Sequence, residues 1–164
     1  MPLILPTLQA DLISIYEKGP SGNPAPPVVG IKTAKAYNTF LQSGINAGAG
    51  STTAMPGFTA LGTDLGEILS SVSPDGSLTA NKMAKAFDAC LQTYLSLHQT
   101  TIVTTSGLPG LISDLVDLFA SPKASSTLFA NKFATALNTY TSSATVIGVI
   151  PGTPPGTPGK FRFQ

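Results

Sequence analysis

The densest run of reactive side chains is Asn81–Leu91, NKMAKAFDACL, which places Lys82, Lys85, Asp88 and Cys90 within one short segment. A thiol near ammonium groups is the raw material of a nucleophilic site, because cationic neighbours favour the thiolate. His98, the chain's one histidine, stands further along the same segment. A general base beside a thiol would complete such a site. The neighbouring sequence argues otherwise. Fifty residues later stands NKFATALNTY (Asn131–Tyr140), and fifty residues earlier IKTAKAYNTFL (Ile31–Leu41). Lys32, Lys82 and Lys132 fall in register, as do Ala34/Ala84/Ala134, Ala36/Ala86/Ala136 and Asn38/Asp88/Asn138. Cys90 becomes Phe40 and Tyr140 in the other copies. A position that takes Cys, Phe and Tyr in equivalent units points to packing, and Cys90 is expected to be a small core residue. The three lysines could hold three equivalent anions, but each reads better as a solvated residue in a first helical turn.

Other chemistries fail on spacing. His98 has no Asp, Glu, Cys or second His beside it, so it is no metal ligand set. INAGAGSTTA (Ile45–Ala54) has the glycines of a phosphate loop, but no Lys-Ser or Lys-Thr follows and no apolar strand precedes it. GPSGNPAPP (Gly19–Pro27) has no PxxP beside a basic anchor and reads as a surface loop. No nucleophile–base pair or paired-acid arrangement emerges, so no catalytic residue, cofactor or metal site is expected, and the chain is read as a non-enzyme.

Composition narrows the remaining classes. Of 164 residues, 10% are charged, against about 25% in ordinary domains. Nine basic and eight acidic residues leave a net charge of +1, with no basic patch; only Lys160 and Arg162 lie close together. Direct nucleic-acid binding is therefore not expected. Mean hydropathy is +0.24, yet no window approaches the ~18 unbroken apolar residues of a membrane span. The surface is instead rich in Ser, Thr, Ala and Gly, which hydrate weakly and favour association with partners. One cysteine excludes an internal disulfide. The apolar start, MPLILPTLQADLISIY, lacks a basic n-region and a small-residue cleavage site, so secretion by a signal peptide is not expected.

Elements follow from periodicity. Leu8, Leu12, Ile15 and Tyr16 recur at helical spacing after Pro6, with Thr7 as cap. A second helix is expected from Val29 or Gly30 to Ser43. Met55-Pro56-Gly57 opens a third, carrying Phe58, Leu61, Leu65, Ile68 and Leu69, about one turn longer than the first. Thr79 caps the fourth, with Met83, Phe87, Cys90, Leu91, Tyr94 and Leu95 as its stripe. Leu108-Pro109-Gly110 opens the fifth, and the sixth runs from Leu128 to about Ser142. Thr100–Thr105 and Ala144–Ile150 are β-branched and extended. Pro151–Gly159 holds too much proline and glycine for a helix.

The fold class is thus all-α: three repeated helix-turn-helix units of about 50 residues (1–54, 55–107, 108–150), about six helices in a compact bundle, with short extended segments and an extended C-terminal arm (151–164). Such short helices must pack on one another to be stable. Two stretches, AKAFDACLQTYLSLHQTTIVTT (Ala84–Thr105) and ATALNTYTSSATVIGVIPGTPPG (Ala134–Gly156), give the chain a texture that resembles small virion proteins of tailed bacteriophages, particularly contractile-tailed ones. The resemblance implies a structural component of head, neck, tail or baseplate, made in the host cytoplasm, whose expected partners are other proteins of the particle, with further copies of itself as a candidate. In the arm, Phe161, Arg162 and Phe163 alternate as a docking strand would. A rival reading is a helical carrier with an apolar pocket lined by Phe87, Phe133 and Tyr140.

Overall fold

Leu8, Leu12 and Ile15 occupy one face of a 3.6-residue period, and they are the buried residues of helix α1, Leu5–Tyr16. The remaining elements are α2 (Pro26–Ser43), α3 (Gly57–Ser70), α4 (Gly76–Ser96), β1 (Thr100–Thr104), α5 (Leu108–Ala120), α6 (Ser126–Ser143), β2 (Thr145–Val149) and β3 (Pro158–Arg162). The computed structural model describes residues 3–17, 24–44, 57–71, 76–96, 100–120, 125–149 and 158–162. The body is all-α, with six helices among these residues, as the periodicity predicts.

Helix starts differ from the expected caps. Helix α1 begins before Thr7, with Pro6 in its first turn and no side-chain cap. Helix α2 begins at Pro26, earlier than Val29, with proline in its first turn as well. Proline fits there because its fixed φ is helical and its missing N–H would have no partner. Thr79 is no cap: α4 starts at Gly76, and Thr79 lies buried inside it. Of α1, α2 and α6, α6 alone has a side-chain cap, Ser125 Oγ accepting from the Leu128 amide at 3.1 Å. Helix α3 has 14 residues against 12 and 13 for α1 and α5, so it is not a full turn longer. Its buried Leu61 and Leu65 match Leu8/Leu12 and Leu111/Leu115. On this alignment Phe58, not Met55, corresponds to Leu5 and Leu108. The extra residues lie in the α1–α2 connection, 17–25, which is longer than 71–75 and 121–125.

Burial recurs with the sequence period. Thr33, Ala34, Ala36, Tyr37, Phe40 and Leu41 are buried in α2, and so are the residues 50 positions on in α4 and 100 on in α6. Each helix packs on its neighbours in the chain, and α6 closes on α1 to complete a ring. Neighbours run antiparallel: the Ile4 amide at the start of α1 donates to Ser43 Oγ at the end of α2 (3.1 Å). Helices α2, α4 and α6 therefore run parallel and meet at the centre. There Tyr37 packs edge-on to Phe87, ring centroids 5.0 Å apart, and Phe87 edge-on to Phe133 at 5.8 Å. Each such contact adds about 0.5–1.5 kcal/mol beyond its buried area.

Beyond the C-terminal ends of α4 and α6, the extended segments pair. The sheet order is β1-β2-β3, antiparallel throughout. Val103, Val146 and Phe161 share one row of the register, and Thr104, Thr145 and Arg162 another.

Helices α2 and α3 approach most closely. A Cβ at Gly30 would overlap the Gly66 amide nitrogen and lie 2.7 Å from the Gly62 carbonyl oxygen. Both obstacles are backbone, so no side chain can swing away. Gly110, in the first turn of α5, has nothing within 4 Å of its Cβ position. Gly30→Ala is expected to lower stability by about 3 kcal/mol, the upper end of overpacking costs. Gly110→Ala is expected to be neutral or to stabilise by up to ~1 kcal/mol through helix propensity. Urea denaturation of the two variants beside the parent checks the contrast.

Candidate functional site

The reactive run of α4 is dispersed by its helix. Cys90 faces inward, 3% exposed, with its sulfur beside the Gly57 backbone. Burial pushes its thiol up to about 12, so the nucleophilic thiolate is suppressed. Asp88 is occupied: Tyr140 Oη donates to Oδ1 at 2.5 Å, and Gln92 Nε2 to Oδ2 at 2.7 Å. Lys82 and Lys85 point outward, away from Cys90. His98 lies outside the described residues.

Two repeated arrangements replace that run. The first is a set of outer grooves, one in each helix pair. Asp11 of α1 faces Lys32 and Lys35 of α2. Asp64 and Glu67 of α3 face Lys82 and Lys85 of α4. Asp114 and Asp117 of α5 face Lys132 of α6. Ala36, Ala86 and Ala136 line the respective grooves and keep them open. The three lysines thus occupy equivalent places, as their register predicts, but each faces a carboxylate and lies beyond the first turn of its helix. Counting these side chains, the grooves carry +1, 0 and −1, so they form no common anion site. Acidic first helices meet basic second helices, an arrangement that supports their pairing by at most ~1 kcal/mol per exposed pair.

The second arrangement is a cycle of tyrosine hydroxyls joining the inner helices, which the apolar stripes alone did not reveal. Tyr94 donates to the Leu41 carbonyl at 3.4 Å, from the second helix pair to the first. Tyr140 donates to Asp88, from the third pair to the second. Tyr37 and Thr141 share a 2.9 Å bond between the first pair and the third. Each link therefore steps back by one pair around the ring. Asn38 occupies the place of Asp88 in the first pair, and its Oδ1 is buried without a hydrogen-bond partner. The repeat accounts for the orphan: the position equivalent to Tyr140 is Cys90, whose short side chain carries no hydroxyl. A sequence signal for this existed, since Asn38/Asp88/Asn138 kept a polar group in every copy.

Phe87, Phe133 and Tyr140 are all buried, and Phe87 and Phe133 pack on one another within the core. Among the described residues, no group of three His, Cys, Asp or Glu side chains could hold a metal, and no helix is long and apolar enough to cross a membrane. Of the expected docking residues, Phe161 and Arg162 fall in β3, paired with Val146 and Thr145 of the same chain, while Phe163 lies outside the described residues. Comparison with known proteins finds no matching family model, no matching curated protein and no matching solved structure.

Two outcomes test this arrangement. Cys90 should resist Ellman's reagent at neutral pH in the folded protein and react only as the chain unfolds; prompt reaction of the native thiol would contradict its placement. Burial, opposed by the Thr33 hydrogen bond, pushes the Tyr16 phenol up to about 12. Burial drives Tyr37 and Tyr140 upward as well. The unfolded chain releases phenolic protons from about pH 10, whereas the native chain holds them. Stability is therefore full below pH 10 and falls as pH rises towards 12. Urea midpoints across this range, read with tyrosinate absorbance, should fall together with ionisation; a flat midpoint contradicts the buried phenols.

Proposed function

We propose that this chain is a structural assembly protein, a component of a large multi-subunit particle of the tailed-bacteriophage kind. Three copies of one helix-pair unit build its rigid body, and a C-terminal arm, residues 151–164, docks on its surroundings. The observation that carries this reading is the division of labour within the chain. The helices close on themselves around a filled aromatic core, while the C-terminal strand lies at the edge of a small sheet at one end. A strand at a sheet edge offers unpaired backbone groups, and main-chain pairing is a general route to protein association. The groups that could do chemistry support the same reading, since Cys90 is packed and Asp88 is engaged.

Deleting residues 151–164 should leave the helical circular dichroism spectrum and the unfolding midpoint of the body nearly unchanged. Incorporation of the truncated chain into the particle, measured by complementation and quantitative gel analysis of purified particles, should be lost. Normal incorporation would overturn the assembly role of the arm.

A further inference from the structure

We infer that Asp88 is the anchor of a polar clasp that holds the terminal sheet on the helical body, a conformational device that stands apart from the assembly reading. Four side chains close a ring of hydrogen bonds. Gln92 Nε2 donates to Asp88 Oδ2 at 2.7 Å and to Thr105 Oγ1 at 3.4 Å. Thr105 is also bonded to the Tyr140 hydroxyl, and Tyr140 Oη donates to Asp88 Oδ1. The directions agree with what each group can do. An amide nitrogen has two hydrogens to give, each hydroxyl accepts and donates, and a carboxylate only accepts. Thr105 Oγ1 thus donates to Tyr140 Oη, and both paths from Gln92 end on the Asp88 carboxylate. Bonds to an ionised acceptor are the strong ones of such a network.

Thr105 gives the ring its consequence. It follows directly on β1, and Leu108 opens α5 just after it. In between, a Cβ at Gly107 would overlap Ser143 Oγ and lie 3.4 Å from the Tyr140 ring, so the chain leaving β1 is pressed against the end of α6. Helix α4, which carries Asp88 and Gln92, is also the helix that packs against β1. On the other side of the sheet, buried Ala144 joins α6 directly to β2. Among the described residues, the sheet is therefore fixed at Ala144 by the chain itself and at Thr105 by the clasp. The other junctions between copies lack the parts. The repeat places Asn38 and Gln42 with Cys90, and Asn138 and Ser142 with Phe40, where the clasp has Asp88 and Gln92 with Tyr140. The acid and the phenol occur together only at the junction of α4 and α6, from which β1 and β2 emerge.

Hydrogen exchange of the full-length protein, read by mass spectrometry, tests the clasp. Asp88→Asn removes the charge and keeps the side-chain shape found in the other copies. Thr105→Val removes a hydroxyl at a partly exposed position, and it decides the question alone should Asp88→Asn fail to fold. Asp114→Asn, an acid of an outer groove, is the control. Exchange in residues 100–104 and 145–149 should rise about tenfold or more in Asp88→Asn and about fivefold in Thr105→Val, the scales of a charged and a neutral hydrogen bond. The interior amides of α2, α4 and α6 should keep their parental rates, and the control should alter neither set. Unchanged strand exchange in the folded clasp variants overturns the inference. Strands and helices loosening together overturns it too, since that is a loss of general stability, as do strands that lack protection in the parent.

Discussion

Everything in the helical body depends on the centre where α2, α4 and α6 meet. None of the six helices exceeds 21 residues, and helices this short are marginal alone in water. Their stability comes from burying one face on neighbours. The inner helices bury more, because each touches a chain neighbour on either side and the other inner helices at the axis. Tyr37, Phe87 and Phe133 fill that axis with edge-on rings. Once it is filled, the outer helices need only a narrow stripe, and Leu8/Leu12, Leu61/Leu65 and Leu111/Leu115 supply it.

Threefold likeness in the sequence does not make the three junctions alike. The α2–α3 junction is drawn in until glycine meets glycine backbone at Gly30, Gly62 and Gly66. Its counterpart positions in the other units carry Ala80 and Ala130 on the inner helix, whose methyl groups demand more room. The tyrosine links differ in the same way. Each joins one pair to the preceding one, yet they use different positions, Tyr37, Tyr94 and Tyr140, and different acceptors. The orphaned Asn38 oxygen lies where the neighbouring copy carries Cys90 in place of a tyrosine. Divergence among the copies has thus been absorbed at the interfaces between them, while the burial pattern stayed constant.

The polar surface follows the same economy. With few charges to place, the chain sets acids on first helices and lysines on second helices, so that each groove pairs opposite signs. No groove carries more than one net charge, so the outer helix pairs present no strong field of one sign.

Sequence alone determined the helical class, the period of 50 and most of each inward face, although the apolar Ile31 and Leu128 turn out exposed. These depend on local spacing, and spacing is written along the chain. It also identified Cys90 as packing, because the other copies hold Phe40 and Tyr140 there. Helix starts were less legible, since Pro6 and Pro26 are tolerated in a first turn without a polar cap, and Thr79 only resembles one. The reactive run of α4 became legible as structure only in three dimensions. A helix turns Asp88, Lys82 and Cys90 towards different surroundings: Asp88 meets Tyr140, Cys90 packs against the start of α3, and Lys82 lines an outer groove. That β1 pairs with β2 likewise depended on where α4 and α6 end relative to each other, because register is a relation between segments and no single segment contains it.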